Sequence, residues 1–182
     1  MELSGRGGCP PGPGCGWLGR MGPFEMLSGK QRELLACFES LDEVQGTEPL
    51  RARVGELLEE VRLHVRVTER HLQPLVVRVE GHRRALQEAE VLLTMHELMA
   101  ELEAFPCGSL EWLARLMALE DAAVAHVRSL ELQLFPRLSE ALEDQEAVDL
   151  VRAMAATREA LWLDMRRARP AFDDDAAPAC LV

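Results

Sequence analysis

The sequence predicts an all-α protein: an up-down-up-down four-helix bundle with an additional C-terminal helix. Three observations carry that prediction. Leu, Ala, Glu, Arg and Val dominate, Tyr is absent and only 4% of residues are aromatic, a composition that favours helix over strand. Apolar residues recur at 4-3-4-3 spacing over long stretches, the period of a helix with one buried face. One eleven-residue phrase is written twice, as HVRVTERHLQP from His64 to Pro74 and as HVRSLELQLFP from His126 to Pro136.

A chain of 182 residues is one domain plus tails, and 48% hydrophobic residues are ample for a helical core. The net charge of −11 argues against nucleic acid and against an anionic membrane face as partners. No apolar run approaches the ~20 residues of a spanning helix. The first residues lack the apolar region of a secretory signal, so the expected compartment is the cytoplasm. The five cysteines, Cys9, Cys15, Cys37, Cys107 and Cys180, are odd in number and scattered. They read as reduced thiols rather than a disulfide or zinc framework.

Residues 1–23 form a Gly/Pro-rich tail predicted to be disordered. The first helix is expected to start at Phe24 or Ser28 and run to Val44, with Leu34, Cys37, Phe38 and Leu41 as its apolar stripe. Thr47 caps the second, and Glu48 and Pro49 fill its first turn. Its stripe is Leu50, Val54, Leu57, Val61, His64, Thr68, His71 and Leu75, and Pro74 should end or kink it. The third spans roughly Val77 to Ala104, with a stripe of His82, Leu86, Ala89, Leu93, His96 and Ala100. Ser109 caps the fourth, whose stripe is Trp112, Leu116, Leu119, Ala123, His126, Leu130 and Leu134. Pro136 should kink or end that helix. A fifth, from about Gln145 to Arg167, carries Val148, Val151, Met154, Ala155, Leu161 and Trp162. It closes on basic residues, as the helix dipole prefers. The bundle is thus expected over residues 24–168, and residues 169–182 are predicted to be a disordered acidic tail.

Measured from a bend at Pro74, His64 lies ten residues before and His82 eight after. His126 lies ten residues before Pro136. At about 1.5 Å per residue these three histidines reach one level, each on its helix's apolar stripe. His64, His82 and His126 are therefore the candidate metal ligands. His71, seven residues past His64, is expected beside that layer, and His96 well away from it.

With these residues in place the chain resembles the hemerythrin-like (HHE cation-binding) family over most of residues 28–142. The family phrase is His-x-x-x-Glu followed by an aliphatic residue and a Pro ten places after the His. His64 with Leu72 and Pro74 matches it, as does His126 with Leu134, Phe135 and Pro136, and His82 matches the third-helix histidine. The resemblance implies a bundle that holds two irons between histidines and bridging carboxylates. Here the carboxylate positions are Thr68 and Leu130, with Glu69 and Glu131 one residue later. One residue is about 100° of helix rotation, so only a π-bulge would bring those side chains back. The first-helix histidine is replaced by Lys30.

Losing both carboxylates and gaining a cation disfavours a di-iron centre. Three histidines suit a single ion, iron or zinc, as the alternative. The expectation is a degenerate hemerythrin-like protein without a cofactor, serving as a binding or regulatory module. The alternative is a metal-binding, redox- or oxygen-responsive protein with a mononuclear or incomplete iron site. No phosphate loop, GxSxG or HExxH supports an enzyme. A protein partner or a second copy of the chain is the expected company.

Overall fold

Pro23 opens the first helix, where a missing backbone N–H costs nothing. The Glu25 carboxylate accepts the Gly22 N–H at 3.2 Å and closes that end. The computed structural model describes residues 22–168 and is helical throughout, with no strand among the described residues. Both expected tails, with Cys9, Cys15 and Cys180, lie outside the described residues, save that Pro23 already belongs to a helix.

The helices are α1 Pro23–Glu39, α2 Thr47–Val67, α3 Gln73–Glu80, α4 His82–Ala104, α5 Leu110–Ser129, α6 Phe135–Ala141 and α7 Asp144–Ala168. A 3-10 turn, Ser40–Glu43, extends α1. Ser109 caps α5 as expected, its Oγ accepting the Trp112 N–H at 3.1 Å.

Of the two outcomes expected at Pro74 and Pro136, an end or a kink, the first does not occur: neither ends its helix. A π-turn, Thr68–Leu72, joins α2 to α3, and a second, Leu130–Leu134, joins α5 to α6. In each, the N–H after the turn reaches five residues back, Gln73 to the Thr68 carbonyl and Phe135 to that of Leu130. Proline lacks an N–H, and its ring crowds the carbonyl four residues earlier. The wider π-turn just before Pro74 and Pro136 relieves that crowding, so each phrase is a continuous rod. The chain reverses instead at Gly81, where φ is +84°, a region that only glycine enters freely.

Five rods result. On α4 and α5 the partners run in opposite order: Arg84 meets Ser129 at 2.8 Å, and Glu101 meets Arg115. α7 lies along α2 and α3 in the same antiparallel sense. Its Glu146 accepts from Arg78 at 2.8 Å, Thr157 meets His71 at 2.8 Å, and Arg158 pairs with Glu60. Val151 and Met154 are the side chains by which α7 enters the core.

The stripes expected for α2 and α5 are largely the buried faces: Val54, Leu57, Val61, His64, Thr68 and Leu75, then Trp112, Leu119, Ala123, His126, Leu130 and Leu134. The stripe expected for α4 is not. His82, Leu86, Ala89, Leu93 and Ala100 are exposed, Leu86 at 64% and Leu93 at 57%. The helix buries Ala85, Glu88, Leu92, Met95, Met99 and Leu102 instead. Among the described residues no helix is long and apolar enough to cross a membrane.

Candidate functional site

Two apolar clusters make up the interior. The first gathers Leu34 and Phe38 of α1, Val61 and Val65 of α2, Leu92 and Met95 of α4, and Leu119 and Ala123 of α5. The second gathers Phe24 and Leu27 of α1, Leu72 and Leu75 beyond α2, Ala85 of α4, Leu130 and Leu134 beyond α5, and Met154 of α7. Between them, every buried polar side chain of the described residues appears at the step from one cluster to the other. Gln31 stands between Leu27 and Leu34, His64 and Thr68 between Val61 and Leu72, Glu88 between Ala85 and Leu92, and His126 between Ala123 and Leu130. A polar layer thus crosses the apolar interior.

At its centre the His64 and His126 rings meet edge to face, with centroids 5.4 Å apart and planes at 71°. His126 Nδ1 lies 3.6 Å from Glu88 Oε2, too long for a good hydrogen bond but within ion-pair range. The other carboxylate oxygen, Oε1, accepts from Ser129 Oγ at 3.1 Å and pairs with Arg84 at 2.9 Å. Arg84 in turn donates to Ser129 and Gln133. A chain of charge therefore runs from the surface at Arg84 through Glu88 to the paired imidazoles.

The protonation states follow from burial and neighbours. Burial, then the neighbouring His126 and Arg158, lowers the His64 pKa to about 3, so its imidazole is neutral. For Glu88, burial pushes the carboxyl up. His126, the Ser129 hydroxyl and Arg84 together outweigh it and hold the group below the ordinary range. In the layer Gln31 Oε1 and Nε2, His64 Nε2, Thr68 Oγ1, Glu88 Oε2 and both His126 ring nitrogens have no hydrogen-bond partner among the described residues. Each such buried group costs about 1–3 kcal/mol relative to a satisfied one.

Of the three histidines the sequence singled out, the interior brings together two. His82 is exposed as the first residue of α4, six residues and about 9 Å along the axis before Glu88. The expected convergence of His64, His82 and His126 is therefore corrected to His64, His126 and Glu88. Its cause is the bend, placed at Pro74 in the sequence reading and found at Gly81. The two π-turns begin only at Thr68 and Leu130, one residue before each phrase carboxylate and not between it and the histidine, and Glu69 and Glu131 stay outside the layer. Glu69 pairs with Arg66 and His96, each at 3.3 Å. Glu131 is half-buried and lines a surface hollow on the α1 side together with Phe24, Ser28 and Phe135. Thr68 and Leu130 hold the buried positions, each 1% exposed. Glu88 was missed because it falls off the stripe assigned to its helix.

The residues do not fit a di-iron centre. Two irons need carboxylates free to bridge them, and the layer's single carboxylate is already balanced by Arg84 and Ser129. Among the described residues no three His, Cys, Asp or Glu side chains form a group that would hold a metal ion. His71, expected too far along its helix to share an ion with His64, meets Thr157 of α7, and His96 lies apart at Glu69.

One face of the layer reaches a cleft. His64 lines a cavity of about 420 Å³ between α1, α2 and α7, with Leu27, Val67 and Met154 as apolar walls. Comparison of the chain with protein-family models, with curated proteins and with solved structures finds no match.

Proposed function

We propose that the chain is a degenerate hemerythrin-like protein, without di-iron chemistry, working as a non-catalytic binding or regulatory module. In this reading α1, α2–α3, α4 and α5–α6 form an up-down-up-down four-helix bundle, with α7 laid against α1 and α2. The observation that carries it is the composition of the polar layer. An ion-paired Glu88, two imidazoles, Gln31 and Thr68 take the depth at which the family would hold bridged iron. Its paired phrase, ending both times in a π-turn and a proline, supports the family shape. A cytoplasmic setting and a protein partner, or a second copy met through the acidic exterior, belong to the same reading.

Metal analysis of the chain purified without chelator tests it. The expected result is less than about a tenth of an equivalent of iron, zinc or any transition metal, with no gain on reconstitution, because metal binding to a competent site is tight. A near-stoichiometric metal lost in His126→Ala would overturn the proposal in favour of a mononuclear site. That second reading draws on three unpartnered ring nitrogens and the unpartnered Glu88 Oε2 in one layer.

A further inference from the structure

We propose that the cleft between α1, α2 and α7 binds a small aliphatic monocarboxylate, its chain among the apolar walls and its carboxylate towards Lys30. This deepens the reading of the chain as a binding module and depends on nothing about metal.

The size is that of a small-molecule site rather than a peptide groove. Clefts of roughly 300–1,000 Å³ with apolar walls and a few convergent polar groups are the usual form; this one measures about 420 Å³. Met26, Leu27, Val67, Met154, Ala155 and Trp162 supply apolar surface on three helices. Two of these are methionines, whose unbranched, polarisable side chains adapt to a flexible chain better than branched ones.

The polar groups select the head. His64, 5% exposed, forms part of the cleft wall, while its Nε2, without a partner among the described residues, is itself fully buried. Lys30 and Arg158 line the same cleft, and Arg166 stacks on the lining Trp162 ring at 4.5 Å. Against these three cations stand the carboxylates of Glu60 and Glu159, and Glu60 is already taken by Arg158. Among the described residues Lys30 is held only by Glu33, in a surface pair whose partners are 41% and 65% exposed. Such pairs are weak, so a ligand carboxylate can exchange for Glu33 at little cost. In a chain of net charge −11, the charged lining of the cleft, Lys30 and Arg158 against Glu60 and Glu159, is locally neutral.

Calorimetric titration with octanoate, and with octanol as the same tail without charge, tests the proposal on the full chain. Octanoate should bind one-to-one and change the fluorescence of Trp162, and Trp162→Phe should remove that optical change while binding persists. Lys30→Met should weaken octanoate at least fivefold and leave octanol unaltered. Ala155→Trp should abolish binding of both, since Ala155 is exposed at the mouth and a large side chain there fills the cleft without entering the core. Its circular dichroism and melting temperature show whether it folds as wild type, and Lys30→Met decides if it does not. The proposal is overturned if octanoate fails to bind at about 1 mM, an affinity of only ~4 kcal/mol. Equal affinity for octanol and octanoate, or octanoate binding untouched by a folded Ala155→Trp, overturns it equally. A failure here leaves the metal measurement, and so the reading of the polar layer, as it stands.

Discussion

His64 is neutral in the folded chain because burial strips the solvation of its charged form, and the neighbouring His126 and Arg158 disfavour that form further. Its pKa falls from the ordinary 6.5 to about 3. The unfolded chain therefore takes up a proton below pH 6.5 that the folded chain refuses until about pH 3. Stability contributed by neutral His64 is whole above pH 6.5 and is lost progressively as the pH falls towards 3, at up to about 1.4 kcal/mol per pH unit. Urea unfolding should show a loss of about 2 kcal/mol between pH 8 and pH 5. In His64→Leu that slope should flatten, while a wild-type slope of zero would mean that the ring is solvated. Glu88 acts in the same direction at lower pH, where protonating it removes its attraction to Arg84 and His126. Legibility at this scale was uneven. The His-x-x-x-x-Glu phrase announced His64 and His126 correctly as inward-facing, because period and chemistry agreed. Glu88 gave no signal, being one of many Glu residues on a charged helix, and only its neighbours Arg84 and Ser129 from two helices make it a buried ion.

Each rod of α2–α3 and α5–α6 contains a proline that local rules would make a terminus. The preceding π-turns let both rods continue, and the reversal moves to Gly81. Gly81→Ala tests this element. Nothing lies within 4 Å of the added Cβ, so the penalty is backbone strain at φ +84° alone. It should amount to about 1–2 kcal/mol by urea unfolding, without loss of helical circular dichroism. A neutral substitution would place the reversal elsewhere. The face of α4 was unreadable for a related reason. It carries two stripes of helical period, Ala85–Glu88–Leu92–Met95–Met99 and His82–Leu86–Ala89–Leu93–His96. The first sets a carboxylate among Leu92, Met95 and Met99, and the second sets leucines between His82 and His96, so a stripe chosen for its histidines is the wrong one. Packing against α5, where Arg84, Ser129 and Glu88 interlock, decides for the first.

Across the whole molecule α7 is the piece that turns an open helix pair into a lined cleft. It reaches the core through Val151 and Met154, and holds α2 and α3 by Arg158–Glu60, Thr157–His71 and Glu146–Arg78. Most of its face is half-buried or exposed, so its attachment concentrates in few side chains. Met154, fully buried at the junction of the second apolar cluster and the cleft, is the one to remove. Met154→Ala should lower stability by about 2–5 kcal/mol, as large-to-small core changes do. Hydrogen exchange should then show α7 protected less than α2. A uniform loss of protection over all helices would instead mean that α7 and the rest unfold as one unit.

The sequence alone determined that the chain is helical, where most helices begin, which faces of α2 and α5 are buried, and that His64 and His126 share a depth. Those properties are written locally, in propensity, capping and period. Tertiary structure alone decided where the chain reverses, which face of α4 turns inward, and so that Glu88 rather than His82 completes the layer. Those choices depend on competition between packings of nearly equal local merit, and a one-dimensional pattern does not record which partner each face meets.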